Sequence, residues 1–237
     1  MGLVDHKLAQ EACDGLISLN NFNLVGKVEE NKISVYCSHK NDERQKAIIM
    51  YNVKNGSLDG YCSLLFDDNY TNDAKKKEVV VWIANPTIKL GIYYKEGVLH
   101  GRRMYVNNKD KITMVTHYDN GMMHGKGVFT CEEYEFSTYF TDGKLNGKSL
   151  ITYKQNYNIK IKGQYLHGLN HGVWYVIHDG KPRVKITFPN DNCYDIDTPV
   201  PVMEAGKTKQ TPISDLIKNK MCSYWISKFP YDHLVFH

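Results

Sequence analysis

Apolar and polar residues alternate in short runs along most of this chain, with turn residues between the runs. Stretches such as 113–118 and 128–130 are rich in aromatic and β-branched residues, the types that suit a pleated, half-buried strand. Residues 23–28, 32–37 and 46–50 follow the same pattern, broken by Glu30-Asn31 and by 39–42. The pattern predicts strands that continue one sheet from the N-terminal side. Two places depart from it. Residues 4–13, followed by Gly15, predict a short helix that caps the first sheet edge. Residues 211–237 predict a second helix, with Thr211 as N-cap, Pro212 at the first helical position and Asp215 in the first turn. Ile213, Leu216, Ile217, Met221, Tyr224 and Trp225 fall on one face of it. Residues 67–77 are polar and read as a loop. Residues 189–210, with Pro189, Pro199 and Pro201, read as a linker.

The strand-like runs are organised by a repeat. Five segments share one frame of two glycines four residues apart: 55–60, 96–101, 120–125, 142–147 and 167–172. The first glycines are Gly56, Gly97, Gly121, Gly143 and Gly168, at intervals of 41, 24, 22 and 25 residues. The longest interval leaves room for a degenerate unit or an insertion. Three apolar columns run in register with the glycines. Val53, Tyr94, Tyr118, Phe140 and Tyr165 stand three residues before the first glycine. Leu58, Leu99, Met123 and Leu145 stand two after it, with Asn170 as the exception. Leu64, Tyr105, Phe129, Ile151 and Val176 stand four after the second glycine.

Glycine reaches positive φ without steric cost, so the frame predicts a compact reversing loop between two strands. Asn107–Asp110, Glu132-Glu133, Gln155-Asn156 and Asp179-Gly180 supply the turns between units. The units therefore predict an all-β fold: a meander of stacked β-hairpins forming one elongated antiparallel sheet, with a C-terminal capping helix. A single hairpin is marginal alone, so the units must stack to bury their apolar columns. The chain divides into an N-terminal cap with non-repeat strands (1–50), the hairpin repeats (51–188), the linker (189–210) and the C-terminal helix and tail (211–237).

The frame aromatic-x-x-Gly-x-x-[His/Asn/Asp]-Gly resembles the MORN repeat, and is similar to the hairpin repeats of antitoxin-like bacterial proteins. Residues 118–127, Tyr-Asp-Asn-Gly-Met-Met-His-Gly-Lys-Gly, match best, and Gly127 supplies the family's third glycine. The other units carry Cys62, Arg103, Ser149 and Trp174 at that position, and the tryptophan common in the family's first strand is missing. The resemblance covers roughly residues 51–188. It implies a twisted single sheet with one aromatic-lined face, used in that family for protein association, for membrane apposition, or as an appendage to enzymes.

Composition narrows the function. The 237 residues carry 30 Lys and Arg against 26 Asp and Glu, a net charge of +4. That surplus is too diffuse for an expected nucleic-acid binder, which concentrates a basic face. No window approaches the ~18 apolar residues of a membrane span, and the N-terminus shows no secretory signal. Six scattered cysteines without a Cys-x-x-Cys pair read as reduced thiols. These features together predict a cytoplasmic protein. The abundance of Tyr, Lys, Asn and Ile suits an AT-rich coding sequence, as in a large DNA virus or a protist.

No catalytic motif appears. Gly-Lys-Thr at 206–208 lacks the upstream glycine of a phosphate loop. His100, His124 and His171 share a repeat position, yet equivalent residues of neighbouring hairpins lie about 10 Å apart, too far for a shared zinc. They are read as serving the turns. Lys75-Lys76-Lys77 reads as a solvated run. The expectation is a non-enzymatic scaffold or adaptor without cofactor or metal, binding another protein through the repeat sheet or the C-terminal helix. Its candidate binding residues are Tyr94, Tyr118, Phe140, Tyr165 and Trp225, although packing within the sheet is the plainer use of the first four. The alternative is a peripheral membrane protein binding anionic lipid. Partner identity and oligomeric state stay open.

Overall fold

The computed structural model describes residues 4–70, 83, 85–154 and 158–188. A short helix, α1 (His6–Ala12), and a 3-10 turn (Leu19–Asn21) lead into an all-strand chain. The strands are β1 (Phe22–Glu29), β2 (Lys32–His39), β3 (Lys46–Lys54), β4 (Ser57–Leu58), β5 (Gly60–Asp67), β6 (Ile88–Lys95), β7 (Val98–Leu99), β8 (Gly101–Asn107) and β9 (Ile112–Asp119). They continue as β10 (Met122–Met123), β11 (Gly125–Thr130), β12 (Tyr134–Thr141), β13 (Lys144–Leu145), β14 (Gly147–Tyr153), β15 (Ile159–Leu166), β16 (Leu169–His178) and β17 (Lys181–Phe188). Every pairing is antiparallel and joins strands that are close neighbours in sequence, so the sheet is one meander. β3 runs through residues 50 and 51, so the non-repeat strands and the repeats share one sheet. β5 pairs directly with β6, which makes the long first interval an insertion that adds no strand between them.

The two glycines of the frame do separate jobs, the first in the reversing turn and the second just after it. The chain reverses over two residues, such as Asn120 (φ 48°) and Gly121 (φ 82°). Both central residues at positive φ define the type I′ turn that matches strand twist, which is why Asn-Gly and Asp-Gly stand there. The residues after the turn are already paired: Met123 faces Tyr118. The second glycine marks a bulge. Past Gly125 the register slips by two residues, so that Val128 faces Val115. The same slip follows Gly60, where Val53 faces Leu58 but Met50 faces Ser63. In the slipped stretch Gly60 and Tyr61 pair with Tyr94 and Tyr93 of the next hairpin. The bulge thus hands the chain from one hairpin to the next.

The turns are joined as well. The Gly97 N–H donates to the Leu58 carbonyl (2.8 Å), Gly121 to Leu99 (2.9 Å), Gly143 to Met123 (2.8 Å) and Gly168 to Leu145 (2.8 Å). Four consecutive contacts tie five hairpin tips into one rail.

Side chains alternate across the sheet, and one face is packed. On that inward face Val35, Cys37, Ala47, Ile49, Leu64 and Ile92 form a first cluster with Ala9 and Ala12 of α1. Phe129, Phe136, Phe140, Ile151, Trp174 and Val176 belong to a second cluster. Tyr105 packs against both. Asp5 caps α1 by accepting from the Lys7 and Leu8 N–H groups. The helix rests against β3, β4 and β5. It covers the inward face of these strands instead of the β1 edge that the sequence suggested, because its apolar Ala9 and Ala12 need an apolar surface. The C-terminal helix, Trp225 and the proline linker lie outside the described residues.

Candidate interaction surface

Three parts of the repeat sheet present chemistry: the packed inward face, the rail of tips, and the outward face. The inward face takes four of the residues singled out from sequence. Tyr118 and Phe140 are 6% and 3% exposed. Tyr94 is half-buried against the first cluster and donates its hydroxyl to the Glu11 carbonyl at the end of α1 (3.1 Å). Tyr165 packs edge-on against Trp174, with ring centroids 5.1 Å apart. These rings sit beside the small residues of the repeat. A Cβ on Gly127 would lie 2.7 Å from the Phe140 ring. The column three residues before the first glycine is therefore a packing column, and the structure does not bring it to a contact surface.

A buried ion pair closes the first cluster. Arg103, 1% exposed, donates through Nε (2.8 Å) and Nη2 (2.6 Å) to the Asp14 carboxylate just past α1. Burial raises the Asp14 carboxyl above its ordinary value, while the charge and hydrogen bonds of Arg103 pull the other way. Thr116, paired with Arg103 across β8 and β9, is fully buried too. Further along, the Thr138 and Ser149 hydroxyls share a hydrogen bond of 2.6 Å. Small polar residues thus run between the rings on the inner face.

The rail exposes the residue after the first glycine in four of the five units, with Ser57 half-buried in the first. Val98, Met122 and Leu169 are 45–47% exposed there. Gly121 packs against Val98, whose Cγ1 would lie 3.4 Å from an added Cβ. The repeat-position histidines face the neighbouring turn: His100 Nδ1 lies 3.3 Å from Asp119 Oδ1, and His124 Nδ1 lies 3.8 Å from Asp142 Oδ1. Asp59, at the same position in the first unit, accepts from the Glu96 N–H (3.1 Å). Among the described residues no group of three or more His, Cys, Asp or Glu is placed to hold a metal ion. No helix among them is long and apolar enough to cross a membrane.

The outward face holds what sequence reasoning missed. If the column three before the first glycine points inward, the column four before it must point outward, since strand faces alternate. That column is Asn52, Tyr93, His117, Tyr139 and Gln164. It pairs with the residue after each second glycine: Tyr61 with Tyr93, Arg102 with His117, Lys126 with Tyr139, Lys148 with Gln164. Tyr61, Tyr93 and Tyr139 are 45–46% exposed, and Arg102, Lys126 and Lys148 are exposed beside them. The Tyr61 and Tyr93 ring centroids stand 5.0 Å apart. Burial raises the Tyr61 phenol above its usual value, Tyr93 adds to this, and the charge of Arg102 opposes it. Glycine makes room for the stripe: the Tyr93 Cβ would be 3.5 Å from a Cβ on Gly101, and the Tyr139 Cβ 3.6 Å from one on Gly147. Farther from the tips, Leu150, Lys162, Tyr175 and Lys185 follow one another across β14 to β17 on the same face.

No family model matches the chain, and no curated protein matches its sequence.

Proposed function

We propose that this protein is a non-enzymatic, cytoplasmic scaffold that binds another protein through its repeat sheet, at the rail of hairpin tips. The observation that carries this reading is the set of exposed apolar residues Val98, Met122 and Leu169 along the rail, with Lys144 between the last two, held by turns that hydrogen-bond to one another. Ordered apolar groups at an exposed edge lose little further entropy on binding, so their burial goes into affinity. The resemblance of the frame to MORN repeats supports the reading, because that family associates with proteins. Photo-crosslinking from position 144 in lysate, followed by mass spectrometry, tests it, since Lys144 is the exposed tip residue between Met122 and Leu169. The expected result is one dominant partner, lost when Val98, Met122 and Leu169 are all changed to Ser. Equal recovery by that triple variant would remove the rail from the interface.

The second reading, a peripheral protein on anionic lipid, is favoured by the exposed lysines Lys148 on β14, Lys160 and Lys162 on β15 and Lys185 on β17, all on the outward face. Vesicle flotation with and without phosphatidylserine separates the two. Retention only on anionic vesicles, weakened by salt, supports the membrane.

A further inference from the structure

We infer that the outward stripe near the tips is a binding track for single-stranded nucleic acid, lying across the strands over Tyr61, Tyr93, Arg102, Lys126, Tyr139 and Lys148. The composition of the whole chain hides this track, because its cations are concentrated by topology and not by sequence. Arg102, Lys126 and Lys148 occupy one repeat position on β8, β11 and β14, and two strand spacings put successive charges about 10 Å apart. Exposed tyrosines stand between and beside them in the cross-strand partner column. No carboxylate stands among these six positions or their paired partners His117 and Gln164. The outward-facing Asp119 is two residues along β9 from His117, its carboxylate 3.3 Å from His100 Nδ1, and the outward-facing Glu135 is four residues along β12 from Tyr139.

The ligand class follows from this combination. Cations alone attract any polyanion. Exposed rings on a rigid sheet add something only a ligand with free π faces can use, and unpaired bases have them. A duplex hides its base faces in the stack, and an acidic polypeptide offers carboxylates to the lysines but nothing regular to the rings. From β5 to β14 the stripe crosses seven neighbouring strands, whose six spacings of about 4.8 Å make about 29 Å, which suits a site of about 4–16 nucleotides. The sheet reads no base sequence, so binding is sequence-tolerant. The track is separate from the rail, so either proposal can fail without the other.

Fluorescence anisotropy of the full chain with a fluorescein-labelled oligothymidylate tests this. Binding is expected at low salt, with a slope of log affinity against log salt near −2 for three phosphate contacts at about 0.7 each. The R102E/K126E/K148E variant is expected to lose more than tenfold and flatten that slope. Tyr93→Ala and Tyr139→Ala are each expected to lose about tenfold and keep the slope, the mark of stacking. The V98S/M122S/L169S variant should bind as the parent does. All these positions are exposed, and thermal melts confirm that the variants fold. The inference is overturned by absence of binding at low salt, or by tyrosine variants that bind like the parent. Equal competition from a duplex, from polyglutamate or from phosphatidylserine vesicles also overturns it, since each shows charge attraction without base stacking.

Discussion

Gly127 and Gly143 are both glycines of the repeat, yet they are required for different reasons. Gly143 sits in a turn at φ 78° with nothing within 4 Å of an added Cβ, so alanine there meets only backbone strain. Gly143→Ala is expected to cost about 1–2 kcal/mol, the usual penalty of the left-handed region. Gly127 has the ring of Phe140 where its side chain would be, and Gly127→Ala is expected to cost about 1–3 kcal/mol by overpacking. Urea unfolding checks both, and near-ultraviolet circular dichroism should change only for the second. The thiols give a pH prediction. Burial pushes Cys62 up to about 11 and Cys37 up to about 12, and Cys13 higher still, from an ordinary 9.0. The folded chain therefore keeps protons that the unfolded chain sheds as pH rises past 9.0. The unfolded state then binds fewer protons, and stability falls with pH by about 1.4 kcal/mol per thiol per unit. Tm should hold steady up to about pH 8.5 and drop towards pH 11, with a shallower drop in Cys37→Ala. Sequence showed the glycine columns plainly. It could not say which face a column takes, and the aromatic residues chosen as binding groups, Tyr118 and Phe140, proved to be the inner set. The exposed Tyr93 and Tyr139 stand one residue before Tyr94 and Phe140, on β6 and β12.

At the scale of elements, α1 is the part that local rules explain least. Seven residues are too few for a stable isolated helix, so its place depends on what it touches. Gln10 bridges the Ile17 carbonyl and the Leu19 N–H (2.8 and 2.9 Å), Tyr94 holds the Glu11 carbonyl, and Arg103 holds Asp14. The sequence revealed the helix and its end near Gly15. Its docking on β3 to β5 was not legible, because the decisive contact joins residues 89 apart and nothing local marks Arg103 as buried. The pair is also the costliest one to break. Asp14→Ala leaves a guanidinium buried without its counter-charge and is expected to cost about 3–5 kcal/mol. Asp14→Ala with Arg103→Met removes both charges and fills the space, so most of that loss should return. A double-mutant cycle by urea unfolding measures the coupling. If the double variant is as unstable as Asp14→Ala, the pair matters through shape and not through charge.

Among the described residues, the hairpins pack chiefly against their neighbours, as in other repeat architectures. The meander was legible for that reason: local turns and neighbour pairing specify it, and no long-range crossing had to be guessed. What the repeat pattern concealed is that the inner core is divided. The first cluster ends with Leu90 and Ile92 on β6, and the second begins with Met114 on β9. Between them stand Arg103 and Thr116, and among the described residues Tyr105 packs against both sides. A polar break of this kind weakens the coupling between adjoining units, so the two halves should open at different free energies. Native-state hydrogen exchange is expected to show one protected group over β2 to β6 and another over β12 to β16. Asp14→Ala should lower protection in the first group while leaving the second nearly unchanged. Trp174 lies in the second cluster, so with Trp82 and Trp225 changed to Phe its fluorescence reports on that half. Its urea midpoint should stay in place in Asp14→Ala while exchange in β3 and β5 speeds up. A simultaneous loss of protection in both groups would mean that Tyr105 and the continuous backbone ladder carry cooperativity straight through the polar break.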